Sequence, residues 1–209
     1  MSLDLTRLRR RMVQLALSEH RAGALEEGQP PEGNGGVYPT KYLNGGQPNG
    51  EIKYVGLAFC VGFYQWLLKQ CLAEQNASLP WHYTLQASVL WASFIEKESA
   101  HAANEERVCT APDTDERAAG APHVVATCIY VPQPGDAVFV YRGKDASKPG
   151  HVYMCREVKR DRLVGLGANE YGFRSPSVPA LRSSDRGPLT AIPRLVGYGS
   201  LSFLETETP

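Results

Sequence analysis

Hydrophobic residues recur at helical spacing in three stretches of the first half of the chain. The first predicted helix spans 3–22 and places apolar side chains on one face, at Leu5, Leu8, Met12 and Leu15. The second spans 57–74, and because it is apolar almost all round we expect it to be central and buried. The third spans 84–99, with Thr84 as its N-cap. Its predicted apolar face consists of Leu85, Val89, Ala92 and Ile95.

The second half of the chain changes to the alternating pattern of β-strands. Turn residues separate short apolar runs, which predicts strands at 124–131, 137–141, 151–158, 163–167 and about 191–198. Because helices come first and strands follow, the order is typical of an α+β fold. We expect the N-terminal helices to pack on one side of an antiparallel sheet.

Three further stretches follow neither period. Residues 23–53 are rich in Gly, Pro and Asn, and residues 100–123 are polar and irregular. We expect both to be loop excursions from a single domain that covers 1–209. A loop as long as residues 23–53 often forms the wall of a cleft. The alternative is that this stretch is a flexible linker. Residues 171–189 are also predicted to be irregular.

Composition narrows the class of protein without assigning a function. With 43% hydrophobic and 21% charged residues, the chain of 209 residues has the makeup of a globular protein. Its 22 basic and 22 acidic residues balance to a net charge of zero, so nothing favours nucleic acid as a partner. No apolar run approaches the roughly 20 residues of a membrane span. The N-terminus lacks the apolar core of a signal peptide, which predicts synthesis in the cytoplasm without a conventional export signal.

The cysteines form neither a metal-binding nor a disulfide pattern. There are five, at positions 60, 71, 109, 128 and 155, an odd number without a C-x-x-C pair. We therefore predict no zinc ribbon and no disulfide framework. We also predict no metal or other cofactor. A disulfide between Cys109 and Cys128, in an oxidising compartment, is the one pairing left open.

Cys60 is the first candidate for chemistry, because it stands where a turn meets the start of the most apolar helix. The positive end of a helix dipole and nearby backbone N–H groups lower the pKa of a thiol at this position. Such a setting suits a thiolate nucleophile. The alternative is a buried structural cysteine, since free Cys is among the most buried residue types.

A cysteine nucleophile needs a base, and His151 is the candidate. It opens a predicted strand directly after Gly150, where the missing side chain lets another element approach closely. The alternative is a hairpin-end histidine that faces water. The next strand ends at Asn169 and Glu170, and an antiparallel neighbour returns beside the start of the previous strand. Either residue can therefore accept the ring N–H of His151, unless this segment is simply a turn.

Four pieces in this order carry a resemblance: Cys60 at a helix start, Pro134-Gly135-Asp136 before a strand, Gly150-His151-Val152-Tyr153, and Gly167-Ala168-Asn169-Glu170. The arrangement resembles the CHAP/NlpC group of papain-like cysteine amidases and peptidases, which act on bacterial cell walls. The stretches 33–43 and 194–198 are similar to phage endolysin-like members. The resemblance runs from about residue 10 to about residue 200. The chain departs from the group at Phe59, where the group usually has Trp, and in the length of the 100–123 excursion.

The resemblance implies a papain-like fold and a Cys-His-Asn triad. Cys60 is then the nucleophile, His151 the base and Asn169 the third member, with Glu170 as the neighbouring alternative. The backbone N–H of Cys60 would help to hold the oxyanion, and Tyr54 would add a hydroxyl donor. The implied activity is hydrolysis of an amide bond in the peptide part of peptidoglycan.

Two other functions stay open at this point. One is a non-catalytic wall-binding or structural module that keeps the fold, and the other is a cysteine acyltransferase. Without a signal peptide, a wall hydrolase would reach the wall or periplasm through phage-type lysis or through injection as an antibacterial effector. An injected toxin would imply an immunity protein as a partner. The sequence leaves the cleaved bond open between the lactyl–alanine amide, the stem peptide and the cross-bridge.

Overall fold

A computed structural model describes residues 3–23, 37–45, 58–102, 104–107, 124–128, 130–142, 148–168 and 181–205. Within these residues four α-helices come first and antiparallel strands follow, so the predicted α+β class is confirmed. The helices are α1 (Leu5–Arg21), α2 (Val37–Leu43), α3 (Cys60–Ala73) and α4 (Ala87–Glu96). The strands are β1 (Ala100–Ala102), β2 (Asn104–Arg107), β3 (Val124–Thr127), β4 (Ala137–Val140), β5 (His151–Lys159), β6 (Arg162–Ala168), β7 (Leu181–Pro188), β8 (Ile192–Pro193) and β9 (Leu195–Gly199). A 3₁₀ turn at Ser202–Glu205 follows β9.

The first two predicted long helices form where the periodicity places them. Helix α1 begins after Asp4, whose carboxylate accepts the backbone N–H of Arg7 at 2.8 Å, and it buries one face at Leu5, Leu8, Met12 and Ala16. Helix α3 is buried on nearly every side, as its largely apolar sequence predicts. It therefore lies at the centre of the hydrophobic core, between α1 and strand β5.

Helix α4 exists, but its predicted cap and its predicted apolar face are both wrong. The N-cap is Gln86, with no side-chain capping bond, in place of Thr84. Val89 and Ile95 are 45% and 54% exposed, and the helix instead buries Leu90 and Phe94. The face with Val89 and Ile95 and the face with Leu90 and Phe94 are both apolar, so periodicity alone does not show which one is buried. The second face is buried because it meets aromatic partners: Trp81, Phe139 and Phe203 all lie against Phe94.

The strands form two antiparallel sheets. A six-stranded sheet has the order β1-β9-β4-β5-β6-β7, and a three-stranded sheet has the order β2-β3-β8. Strands β4 to β7 follow one another as a meander, whereas β9 inserts between β1 and β4. The predicted strand at 124–131 is shorter and belongs to the small sheet. The predicted last strand divides into β8 and β9, which lie in different sheets.

Two stretches that we predicted to be irregular contain strands. The 100–123 excursion includes β1 and β2, and β7 lies within 171–189; the remainders, 108–123 and 171–180, lie outside the described residues. Strand β7 pairs with β6 along its length at an edge of the sheet. Its residues are polar and mostly half-buried, because an edge strand is partly solvated. Backbone pairing with β6 therefore makes β7 a strand, although its sequence lacks the alternation of hydrophobic and polar residues.

Helix α2 lies inside the predicted 23–53 excursion and anchors it to the body of the protein. The Tyr42 hydroxyl donates to Glu19 Oε2 at 2.6 Å, and the Tyr42 ring meets Phe63 edge-on at 4.9 Å. Gly62 permits the close approach of the Tyr42 backbone, since a Cβ at this position would lie 2.7 Å from the Tyr42 carbonyl oxygen. Helix α2 is thereby held against the first turn of α3. Among the described helices, none is both long and apolar enough to span a bilayer.

The Pro-Gly-Asp turn before β4 is a structural junction. The Asp136 carboxylate is fully buried and accepts hydrogen bonds from Arg9 Nη1 at 2.6 Å and from the Tyr130 hydroxyl at 2.7 Å. It also accepts the backbone N–H groups of Gln133 at 2.7 Å and Leu201 at 3.1 Å. One carboxylate therefore joins α1, the turn itself and the segment that follows β9.

Candidate active site

The structure brings two of the predicted site residues together. Cys60 is the first residue of α3, His151 is the first residue of β5, and the two elements pack against each other. The His151 side chain and the backbone of Val152 both lie close enough to the Cys60 thiol to lower its pKa. Both residues are nearly buried, with exposed fractions of 4% for Cys60 and 6% for His151. The pairing comes from apolar packing, because α3 and the start of β5 are both core elements.

Gly150 allows the hairpin between β4 and β5 to close at the histidine. Its backbone N–H donates to the Val140 carbonyl at 3.1 Å, which continues the β4–β5 ladder. A Cβ on Gly150 would lie 2.8 Å from the Cβ and 3.1 Å from the backbone nitrogen of Arg142. The close approach that we expected at this glycine is therefore present, and its neighbour is Arg142.

The pKa of the Cys60 thiol is lowered although the residue is buried. Burial, the largest influence, raises the pKa, but the charge and hydrogen bond of His151 outweigh it together with the Val152 N–H and the charge of Arg142. The opposite holds for the other cysteines of the described segments. Burial raises the pKa of Cys71, on the same helix, to about 12, and it also raises the pKa values of Cys128 and Cys155. Among these thiols, Cys60 alone has a lowered pKa.

We expect iodoacetamide to alkylate Cys60 with a midpoint at a lower pH than an ordinary thiol shows. The sign follows from the lowered pKa: the thiolate persists as the pH falls and is lost only when the pH passes below that lowered value. Alkylation rates between about pH 5 and pH 9, followed by mass spectrometry of peptides, give the midpoint, and Cys71, whose pKa is raised to about 12, should show no midpoint in this range. The midpoint does not depend on how freely the reagent reaches the buried sulfur. The His151→Ala variant should move it upward, and an unchanged midpoint in that variant would refute the pairing.

Arg142 is a site residue that the sequence reasoning missed. Its Nη1 lies 3.5 Å from His151 Nδ1. The Arg142 guanidinium therefore places a positive charge beside the imidazole ring. The sequence places Arg142 in the loop after the second predicted strand, which gives no sign of its role. Only the register of the β4–β5 hairpin brings it beside His151.

The residue before Cys60, where the resemblance leads us to expect Trp, is part of the core. Phe59 is fully buried and its ring stacks on Tyr42 at a centroid distance of 6.1 Å. Its carbonyl accepts the first helical hydrogen bond, from the Phe63 N–H at 2.8 Å. The N–H of Cys60 belongs to the first turn of α3, where backbone N–H groups have no acceptor within the helix.

The other predicted site residues lie outside the described residues. These are Asn169, Glu170 and Tyr54, so the third member of the triad and the extra oxyanion donor stay predictions. Cys109 also lies outside them, and the disulfide with Cys128 is likewise untested. Within the described segments, no group of three or more His, Cys, Asp and Glu side chains is placed to hold a metal ion.

A cavity of about 330 Å³ opens beside His151. Its wall includes His151 and Tyr153 from β5, together with three arginines, Arg142, Arg186 and Arg194. Cys60 is not one of the described residues that line it. His151 is thus the residue that the thiol pair and the cavity share.

Comparison with known proteins identifies no relative of this chain. No protein-family model matches this chain, and no curated protein or solved structure matches it either. The functional assignment therefore rests on the chemistry of the site and on the order of the sequence motifs.

Proposed function

We propose that the protein is a papain-like cysteine hydrolase that cleaves an amide bond in the peptide part of peptidoglycan. The observation that supports this most directly is that Cys60 and His151, at the starts of two packed core elements, lie together, with the pKa of the buried thiol lowered by the histidine. A structural cysteine in the same core, such as Cys71, has a raised pKa instead. Activated thiols of this kind serve as nucleophiles toward carbonyl carbon.

The proposed reaction proceeds in two steps. In the first, His151 takes the proton of Cys60, and the thiolate attacks the amide carbonyl while the Cys60 backbone N–H and the helix N-terminus stabilise the oxyanion. His151 then gives the proton to the leaving amine, and a thioester remains on Cys60. In the second, water attacks the thioester with His151 as base, which releases the carboxylate and restores the thiol.

The proposal includes Asn169 as the third member. Asn169 follows directly on Ala168, the last residue of β6, and β6 runs antiparallel to the strand that begins with His151. An acceptor from Asn169, or from Glu170, would stabilise the imidazolium form of His151. Such help has a physical need, because the positive charge of Arg142 beside the ring opposes that form. Tyr54 is proposed as an additional donor to the oxyanion.

The wall substrate is proposed from the order of the four motif pieces that resemble the CHAP/NlpC group. Delivery from the cytoplasm by phage-type lysis or by injection, with an immunity protein in the second case, belongs to the same proposal. The fold is compatible with it, since a core helix presents the thiol to an antiparallel sheet that carries the base.

Digestion of purified peptidoglycan tests the activity. We expect the protein to release soluble fragments with one new amino group and one new carboxyl group per cut, identified by mass spectrometry and by labelling of free amines. The His151→Ala variant should hydrolyse about a thousandfold more slowly, because it lacks both the base and the partner of the thiolate.

The same digestion distinguishes the alternatives. An acyltransferase would form a product that carries an added amine acceptor in place of the new carboxyl group. A binding module would retain peptidoglycan in a pull-down without releasing fragments. Fragment release by the His151→Ala variant at the wild-type rate would refute the proposed mechanism.

A further inference from the structure

Arg142 is held beside His151 by the backbone of the β4–β5 hairpin. Its Nη1 lies 3.5 Å from His151 Nδ1. The strand pairing sets Val140 opposite His151, and the Gly150 N–H donates to the Val140 carbonyl at 3.1 Å. A Cβ on Gly150 would lie 2.8 Å from the Arg142 Cβ and 3.3 Å from the Arg142 carbonyl oxygen. The two sides of the hairpin therefore touch where the arginine and the histidine stand.

The chain directly before Arg142 is fixed as well. The Tyr141 N–H donates to the Arg194 carbonyl at 2.9 Å, beyond a shift in the register of β4 and β9 between Phe139 and Val140. Irregularities of this kind re-aim side chains beside functional sites. Arg142 is half-buried, so water and salt screen its charge less than they screen an exposed one. Its place beside the histidine is thus a property of the hairpin.

The described titratable and charged groups around His151 come from the elements packed against it and from the far wall of the cavity. They are Cys60 on α3, Arg142 after β4, Tyr153 on β5, and Asp185, Arg186 and Arg194 across the cavity. Strand β6 places Gly167, which does not titrate, opposite Tyr153. The charges of His151 and Arg142 both lower the pKa of the Cys60 thiol. Arg142 therefore acts on both members of the Cys60–His151 pair.

A fixed positive charge affects both proton losses of such a pair in the same direction. The first loss converts the thiol to a thiolate, and the second converts the imidazolium to a neutral imidazole. Each loss lowers the net charge beside the guanidinium by one, so each is favoured and occurs at a lower pH. The interval between the two losses is the pH range in which thiolate and imidazolium coexist, and its limits belong to the coupled pair.

We infer that Arg142 is a positioning residue that moves this whole pH range downward, so that the pair reacts at a lower pH than Cys60 and His151 would without it. The inference deepens the proposed function and rests on it for the use of the pair in hydrolysis. Arg142 favours the thiolate that attacks the carbonyl. It also causes the imidazolium that protonates the leaving amine to be lost earlier as the pH rises.

Two titrations of Arg142→Gln test the inference without any substrate. Alkylation of Cys60 by iodoacetamide gives the pH at which the thiolate forms, and the NMR signal of the His151 ring C–H gives the pH at which the imidazolium is lost. We expect both midpoints to rise, each by about 0.5–1 pH unit, because one nearby positive charge is removed. Arg142→Lys keeps that charge and should recover most of both changes. The acid and alkaline limits of kcat/KM for peptidoglycan should move with the midpoints.

The direction of the second midpoint separates a charge effect from a purely structural one. If Arg142 only supported the hairpin, its loss would let His151 move away from Cys60. The alkylation midpoint would then rise while the imidazolium midpoint fell, because each group would lose the opposite charge of the other. That result overturns the inference, and so do two unchanged midpoints.

Arg10→Gln is the matched control, because it removes the same formal charge from an exposed position on α1 and should leave both midpoints unchanged. If Arg142→Gln fails to fold, Arg142→Met, which keeps an aliphatic stem beside Gly150, provides the same comparison. The titrations also separate this inference from the proposed hydrolysis. Two raised midpoints in a protein that leaves peptidoglycan intact would support the role of Arg142 and refute the proposed activity.

Discussion

Replacing Cys60 with alanine is expected to lower the rate of amide hydrolysis by about 10⁵-fold, while the protein stays folded. The thiolate is the only group in the proposed mechanism that forms a bond to the substrate, so no other side chain can take its place. Losses of this size are typical when a covalent nucleophile is removed, and the residual rate comes from binding and oxyanion stabilisation. Release of fragments from purified peptidoglycan, measured at matched protein concentrations, gives the rate.

Cys71→Ala is the matched control for this loss. Cys71 lies on the same helix and is as deeply buried, but burial raises its pKa to about 12 and no histidine activates it. Its replacement leaves a small cavity, which costs about 1–2 kcal/mol of unfolding free energy. Activity should therefore survive in Cys71→Ala. If Cys60→Ala kept a tenth of the wild-type rate, or if a folded Cys71→Ala lost it, Cys60 would not be the nucleophile.

Replacing Asp136 with alanine is expected to lower the unfolding free energy by about 3–5 kcal/mol. The carboxylate has no exposed surface and accepts four hydrogen bonds, one of them from Arg9, whose side chain is 13% exposed. Without it, a mostly buried guanidinium keeps the Pro134 carbonyl at 2.9 Å but loses its charged partner, and two backbone N–H groups lose this acceptor. Urea unfolding of the wild-type and variant proteins measures the difference in unfolding free energy, with the slope of that free energy against urea concentration the same for both.

Glu74→Ala is the control for Asp136, because it removes a carboxylate that pairs with a different arginine of the same helix α1. The Arg11–Glu74 pair is solvent-exposed, with side-chain exposures of 42% and 37%, so we expect a change below about 1 kcal/mol. Adding Arg9→Met to the Asp136 variant should recover part of the loss, since it removes the uncompensated buried charge. Equal losses in the Asp136 and Glu74 variants would show that the buried junction does not stabilise the fold.

The elements with a strong local pattern could be predicted from the sequence. Helices α1 and α3 follow from their hydrophobic spacing, and β4, β5 and β6 follow from short apolar runs between turn residues. The position of Cys60 at a helix start is local in the same sense. These features depend on residues close to one another in the chain, so a pattern of a few residues determines them.

Other features depend on partners that are distant in the chain. The buried face of α4 is chosen by the aromatic rings it meets, and β7 is a strand because β6 pairs with it. Asp136 was noticed as part of a common turn motif, but its role as a buried junction comes from Arg9 and Leu201. No local pattern carries that information.

The candidate site divides in the same way. The sequence by itself determined that a cysteine begins an apolar helix and that a histidine begins a strand after a glycine. Only the tertiary structure decided that Cys60 and His151 lie together, that Arg142 lies beside the histidine, and that the net effect lowers the pKa of the thiol. The physical reason is that a pKa is a balance between desolvation and nearby charges. Both depend on how α3 packs on β5 and on the register of the sheet, which are properties of the folded chain.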